Sequence, residues 1–117
     1  MTLFNMFRMD LNAYQAAARL TALYPDAGSN LIYPTLGLTG EAGEVADKVK
    51  KVLRDRAGHF DDEVRAEIAL ELGDVLWYVA QLASELGYEL EDVANQNLSK
   101  LRDRSARGQL NGSGDHR

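Results

Sequence analysis

Apolar residues recur every three or four positions along most of this chain, which is the spacing that gathers them on one side of an α-helix. The longest such stripe consists of Val64, Ile68, Leu72, Val75, Val79, Leu82 and Leu86. Only two prolines occur, and both lie in the first third of the chain, so no proline interrupts a helix beyond Pro34. The pattern predicts an all-α fold.

Four helices follow from the stripes together with the residues that begin or end helices. We predict them from a cap at Asp10 to the turn at Pro25, from about Pro34 to Arg56, from a cap at Asp61 or Asp62 to Gly87, and from about Glu89 to Arg104. Aspartate begins a helix because its side chain accepts hydrogen bonds from the first turn. Glycine ends one because it adopts the left-handed conformation without strain.

The chain of 117 residues has the length of one domain. We place that domain at residues 1–107, followed by a tail rich in glycine and serine at 108–117. The start of the chain carries an apolar arm of Leu3, Phe4, Met6, Phe7 and Met9. Since such an arm would be a costly exposed patch on a monomer, we expect it to pack on a second copy of the chain.

The amino-acid composition argues against several classes of site and function. The chain has no cysteine, which excludes disulfides and thiolate metal sites, and it lacks an apolar run long enough for a signal peptide or a membrane span. Its formal net charge of −5 argues against a nucleic-acid binder, which needs a basic surface. We therefore expect a cytoplasmic protein with no nucleic-acid or membrane partner.

Four acidic residues in two short motifs carry the candidate chemistry: Glu41 and Glu44 on the second predicted helix, and Glu71 and Asp74 on the third. Residues three apart lie on one face of a helix, so both side chains of a pair can reach one ion. If the two helices form an antiparallel hairpin about His59, Glu44 and Asp74 each lie roughly fifteen residues, about 22 Å, from the turn.

The two acidic motifs are therefore expected to meet in one cluster. Carboxylates brought together at the edge of a core repel one another unless they hold a cation, and oxygen ligands suit Mg²⁺, with Mn²⁺ as a possible substitute. The alternative is that these residues form a solvated acidic edge, since glutamate is common on helix surfaces.

Around these residues the chain resembles the MazG-like nucleoside triphosphate pyrophosphohydrolases, an all-α family. The segment GEAGEVA at 40–46 is similar to one family motif, ELGDVLWY at 71–78 to a second, and NLSKL at 97–101 to a third. The resemblance covers roughly residues 35–107.

The resemblance implies a four-helix-bundle-like fold, assembled as a homodimer or homotetramer. It implies hydrolysis of a nucleoside triphosphate to the monophosphate and pyrophosphate with Mg²⁺, on a deoxynucleotide and with a guanine preference (dGTP to dGMP) suggested by the tail. Transferred by motif position, Glu41, Glu44, Glu71 and Asp74 are metal ligands, and Glu67 is a further candidate on the same face. Glu41 or Glu44 is the catalytic base.

Substrate contacts are expected from two helices. Tyr78 lies one turn beyond Asp74 and is a candidate either for contact with the sugar or for simple packing with its hydroxyl hydrogen-bonded. We expect Trp77 to point to the other side, into the core or a subunit interface. On the fourth helix, Asn97, Lys100 and Arg104 share a face and are candidates to contact the phosphates and the sugar.

Two other functions compete with this interpretation. One is phosphoribosyl-ATP pyrophosphohydrolase, a related enzyme with the same fold and chemistry. The other is a non-catalytic helical interaction module whose acidic edge is only solvated.

Overall fold

The computed structural model describes residues 8–108 and consists, in that range, of four α-helices without strands. The helices are α1 (Leu11–Arg19), α2 (Ile32–Asp55), α3 (Asp62–Leu86) and α4 (Leu90–Ala106). The all-α prediction is confirmed. The apolar arm at residues 3–7 and the tail from 109 onward lie outside the described residues, while Met9 lies within them and is exposed.

Asp10, Asp61 and Gly87 begin or end helices as predicted. The side chain of Asp10 accepts a hydrogen bond from the Ala13 N–H at 2.8 Å, and that of Asp61 accepts one from the Val64 N–H at 2.9 Å. Gly87 closes α3 in the left-handed conformation, with φ of 80°. These three residues fix the start of α1 and both ends of α3 where the sequence predicts them. Helix α1, however, ends at Arg19 and does not reach the predicted end at Pro25, since the N–H groups of Leu20, Thr21 and Ala22 bond to carbonyls three residues back instead of four.

Helix α2 begins two residues earlier than predicted because Asn30 supplies its first hydrogen bonds. The Asn30 Oδ1 atom accepts from the N–H groups of Ile32 and Tyr33, at 3.1 and 3.0 Å. Pro34 then falls inside the first turn, where its missing N–H costs nothing because that group has no helical partner.

Helices α2 and α3 form a long antiparallel hairpin, the most extensive helix pair in the described part of the chain. The turn between them passes through Ala57 and Gly58, which have φ of 52° and 77°. Val52 and Val64 are buried on either side of this turn. Residues of α2 and α3 that are the same number of positions from the turn therefore lie side by side along the hairpin.

Helix α1 packs against α3 and α4 and connects the two through hydrogen bonds. The Gln15 side chain donates to Ser84 Oγ at 3.1 Å and to the Tyr88 carbonyl at 3.0 Å, and it accepts from the Leu90 N–H at 2.8 Å. Helix α4, which has no cap of its own, is thus capped from α1. The largest buried apolar cluster of the described residues lies here and consists of Ala80, Ala83 and Leu90.

Much of the apolar surface of α2 and α3 remains outside this core. No leucine or isoleucine of either helix is buried within residues 8–108. Leu36 and Leu70 are 66% and 74% exposed, and Leu72 and Leu86, predicted to be buried on the stripe of α3, are each 54% exposed. No described helix is long and apolar enough to cross a membrane.

Candidate active site

Three carboxylates from the two long helices converge at one point. Glu41 comes from α2, and Glu71 and Asp74 come from α3. One carboxylate oxygen from each of the three lies within 4.8 Å of the other two. Glu41 and Glu71 are half-buried and Asp74 is exposed, so the group opens to solvent on one side.

The electrostatics of this group are unfavourable without a cation. Burial raises the pKa of Glu41, and the negative charges of Asp74, Glu71 and Glu44 raise it further. One lysine offsets part of the charge at the edge, since Lys48 Nζ lies 3.7 Å from Glu71 Oε1.

The three residues fit a small divalent cation. Two oxygens on one Mg²⁺, each at about 2.1 Å from the ion, lie no more than about 4.2 Å apart. Oxygens that already lie within 4.8 Å of one another therefore need only small side-chain rotations to share an ion. The excess of negative charge and the all-oxygen donor set favour such an ion.

Glu44 and Glu67 lie beside this group rather than in it. Both line an adjacent cavity of about 350 Å³ between the C-terminal half of α2 and the start of α3, which Lys48 also lines. Glu44 is exposed, and it is close enough to act on the charge of Glu41. The structure thus brings together three of the four predicted ligands, and metal binding by Glu44 stays a prediction.

A cavity of about 300 Å³ lies next to the carboxylates and is lined by Glu41, Asp74, Trp77 and Tyr78. The expectation that Trp77 points away from the acidic face was wrong. Residues three and four positions after Asp74 lie on either side of it around the helix, so Trp77 and Tyr78 share its face. The spacing alone should have placed both rings at the site.

Two further tyrosines from outside the hairpin's acidic motifs join these rings. Tyr24 stacks on Tyr33 with ring centres 4.9 Å apart, and it meets Trp77 at nearly a right angle at 6.4 Å. Tyr33 in turn lies 6.4 Å from Tyr78. Neither tyrosine belongs to a motif: Tyr24 is brought here by the path of the chain between α1 and α2, and Tyr33 comes from the first turn of α2, about two turns before Glu41.

The lack of a side chain at Gly37 leaves room for the ring of Tyr78. An added Cβ at Gly37 would overlap the ring of Tyr78, whereas a Cβ at Gly73 would meet nothing within 4 Å. The Tyr78 ring therefore lies against the bare backbone of α2, one turn before Glu41. Nothing in the sequence around Gly37 marks this close approach.

A buried polar network holds the aromatic group in place from the side of α1. The Glu85 side chain is fully buried and accepts hydrogen bonds from the Gly28 N–H, at 2.7 and 3.0 Å, and from the Tyr24 hydroxyl at 2.9 Å. Arg19 donates to the Tyr24 hydroxyl at 2.7 Å and to Gln81 Oε1 at 3.0 Å.

The predicted substrate contacts of α4 lie apart from the carboxylates. Within residues 8–108, α4 packs against α1 and α3 and makes no packing contact with α2. Asn97 is exposed, Lys100 lines a separate surface cavity with Tyr88, and Arg104 is buried. Their contact with a nucleotide stays a prediction.

Comparison with known proteins agrees with this geometry. The family model of the MazG nucleotide pyrophosphohydrolase domain matches residues 33–108, which include all of the acidic residues above and the three motifs of the sequence. The chain is also 52% identical over 114 residues to the Gene 37 protein of Mycobacterium phage L5, an alignment that covers 93% of this chain and 100% of that relative. No solved structure matches the chain.

The match extends over more than half of the chain and includes both helices that carry the carboxylates, so the resemblance is confirmed. The divalent-metal dependence that is general in this family accords with the group of Glu41, Glu71 and Asp74. The chain belongs to the MazG nucleotide pyrophosphohydrolase family and is an enzyme of the nucleoside triphosphate diphosphatase class.

Proposed function

We propose that this enzyme hydrolyses deoxynucleoside triphosphates to the monophosphate and pyrophosphate, with Mg²⁺ held by Glu41, Glu71 and Asp74. The observation that carries the proposal is the convergence of three carboxylates from two helices beside a cavity with aromatic walls. Carboxylates supply the metal site, and aromatic rings supply a surface for a nucleoside.

The bound cation would neutralise phosphate charge and lower the pKa of a water molecule. Glu44 is the better-placed base of the two candidates. It lies next to the three convergent carboxylates without being one of them, so we assign it the proton in place of the metal ligation that the family resemblance implies. Glu41 is the alternative base. Lys48, which contacts Glu71, adds positive charge at the edge of the cluster, where phosphate oxygens would lie.

The nucleoside is proposed to occupy the cavity lined by Trp77 and Tyr78. Its volume of about 300 Å³ is at the lower end of the range for small-molecule sites, roughly 300 to 1,000 Å³, so it suits one part of a nucleotide rather than the whole. Asn97, Lys100 and Arg104 remain proposed contacts to phosphate and sugar. A preference for guanine, and so for dGTP, rests on the resemblance of the tail to phage-like members of the family.

We also propose that residues 1–107 act as one domain and assemble as a homodimer or homotetramer. Exposed leucines on both long helices support this, because burying them against a second copy would remove a large apolar area from water.

The test is to incubate the protein with each common deoxynucleoside and ribonucleoside triphosphate, and with phosphoribosyl-ATP, in Mg²⁺ or Mn²⁺ and to separate the products. We expect monophosphate and pyrophosphate from a deoxynucleotide. Glu41→Gln and Asp74→Asn should each lower kcat by at least about a hundredfold, as removal of a key electrostatic group does.

Glu63→Gln, an exposed acidic residue in the first turn of α3, is the matched control and should leave kcat unchanged. Preferential turnover of phosphoribosyl-ATP would contradict the assignment of a deoxynucleotide substrate. Full activity of Asp74→Asn would contradict the proposed metal site.

A further inference from the structure

Trp77 is held at the wall of the cavity by a hydrogen bond from outside the hairpin. Its indole Nε1–H donates to the hydroxyl of Thr21 at 2.8 Å. Thr21 follows α1, and Trp77 lies on α3, 56 positions away in the chain. The contact therefore connects the segment after α1 to the ring that lines the cavity with Glu41 and Asp74.

The Thr21 hydroxyl is oriented so that it can only accept this bond. Its own proton is donated to the Ala18 carbonyl at 2.7 Å. A hydroxyl has one proton and two lone pairs, and an indole N–H can only donate, so the two bonds fit together without competition. Thr21 thus presents a lone pair in a fixed direction to the indole.

The tyrosine rings around Trp77 do not stack in parallel on its indole. Tyr78 and Tyr24 both meet the indole nearly at right angles, at interplanar angles of 86° and 84°. Among the described residues, no other ring stacks in parallel on Trp77. A base prefers an offset, parallel arrangement on an aromatic face, and no described ring occupies that arrangement on Trp77.

We propose that Thr21 is a positioning residue for nucleotide binding, which fixes the Trp77 indole in the orientation that contacts the nucleoside in the cavity. This inference rests on the proposed function, because it requires a nucleotide in the cavity beside Glu41 and Asp74. Thr21 acts only through Trp77 and does not touch the reacting phosphates.

The test compares Thr21→Val, which keeps the shape of the side chain but loses the hydroxyl, with Thr21→Ser, which keeps the hydroxyl. Loss of one hydrogen bond predicts a KM for the best deoxynucleotide about threefold to tenfold higher in Thr21→Val, with kcat changed less than about twofold. Thr21→Ser should restore the native KM. Equal KM values in the native protein and a folded Thr21→Val would overturn the inference.

A spectroscopic measurement tests the same contact without turnover. The chain has one tryptophan, so its fluorescence reports on Trp77 alone. Without nucleotide, the emission maximum should shift in Thr21→Val but not in Thr21→Ser, because only the first frees the indole N–H. Identical spectra for all three proteins would overturn the positioning role.

A double-mutant cycle separates positioning from general stability. Phenylalanine has no N–H, so Thr21→Val should have little further effect on KM in a Trp77→Phe background. The same increase in KM in both backgrounds would show that Thr21 does not act through Trp77 and would overturn the inference. Absence of turnover in the native protein would instead contradict the proposed function, and the fluorescence comparison would still decide whether Thr21 orients Trp77.

Discussion

At the scale of single residues, Glu41 lies where its surroundings oppose its charge. Burial and the acidic side chains of Asp74, Glu71 and Glu44 all raise its pKa, and no cation other than Lys48 is in contact with the cluster among the described residues. A charge that is disfavoured in the folded state reduces the free energy of unfolding. Its removal should therefore stabilise the fold when no metal is present.

We predict that Glu41→Gln raises the melting temperature in a chelator such as EDTA. Two like charges about 4 Å apart in a well-solvated site repel by about 1 kcal/mol, which for a domain of this size corresponds to a rise of roughly 4 °C. In Mg²⁺ the order should reverse, because the native protein gains the free energy of metal binding and the variant gains less. Thermal unfolding with and without Mg²⁺ measures both effects.

Glu63→Gln should show neither effect. If Glu41→Gln and Glu63→Gln gave the same small shift in EDTA, the carboxylates would not be close enough to repel.

Glu85 shows the opposite electrostatic situation. Burial alone would raise its pKa, but the hydrogen bonds from Gly28 and Tyr24 and the charge of Arg19 outweigh burial, so the pKa is lowered from its usual 4.5. A lowered pKa means that the ionised carboxylate stabilises the fold. This contribution is complete above pH 4.5 and disappears as the pH falls through the lowered pKa.

We predict that Glu85→Gln lowers the free energy of unfolding at pH 7 by about 2 kcal/mol, because a buried charge-assisted network loses its acceptor. The difference from the native protein should become smaller as the pH falls below 4.5, where the native carboxylate takes up a proton. Urea unfolding at pH 7 and at several lower values measures this difference. A gap that widened in acid would contradict the network.

At the scale of helices, the sequence was sufficient where a local contact decides the structure. Asp10, Asp61 and Gly87 begin or end helices through hydrogen bonds to residues three to five positions away, so both partners lie within one short stretch of sequence. The proximity of Glu41, Glu71 and Asp74 was also predictable, because helical spacing and a short turn fix how far along the hairpin each residue lies.

Features that depend on several elements could not be predicted. Tyr24 reaches the site only because the connection between α1 and α2 passes over α3, where Glu85 binds the Gly28 N–H, and it stacks there on Tyr33 from the first turn of α2. The exposure of Leu72 and Leu86 was missed for a similar reason. Periodicity shows which side of a helix is apolar, but not whether a helix of the same chain covers it.

The contact of Gly37 with Tyr78 gives a prediction about the pairing of α2 and α3. Gly37→Ala should displace the Tyr78 ring from the cavity and lower both stability, by about 1 to 3 kcal/mol, and kcat/KM. In a Tyr78→Ala background the ring is gone, and Gly37→Ala should instead be neutral or stabilise α2 by up to about 1 kcal/mol.

Thermal unfolding and steady-state kinetics of the two single variants and the double variant complete this cycle. A loss of stability of equal size in both backgrounds would mean that Gly37 is needed for a reason other than the Tyr78 ring.

At the scale of the whole molecule, the described chain covers little of its own apolar surface. Its buried apolar residues in the described range are Ala18, Tyr24, Val52, Val64, Ala80, Ala83 and Leu90, three of which are alanines. Leu36 lies five residues before Glu41, roughly 140° around α2, and so on nearly the opposite side from the acidic group. A second copy can cover that side without blocking the carboxylates.

We predict that the protein elutes at a mass of at least twice that of the chain and that Leu36→Glu shifts it toward the monomer. Burying a carboxylate in an apolar interface costs several kcal/mol, enough to dissociate a dimer at micromolar concentration. Size-exclusion chromatography with light scattering measures the mass. Leu98→Glu, an exposed leucine on α4, is the matched control and should keep the native mass. A monomeric native protein would contradict the proposed assembly.

The arrangement of the carboxylates on a single hairpin also has a consequence for how the chain folds. Glu41 on one helix and Glu71 and Asp74 on the other approach each other in the same step that pairs α2 with α3, so the contacts that favour this step and the charges that oppose it cannot be separated. The active site is therefore a point of frustration in the folding landscape. A divalent cation present while the chain folds would remove that opposition, so the ion would aid folding as well as the proposed hydrolysis.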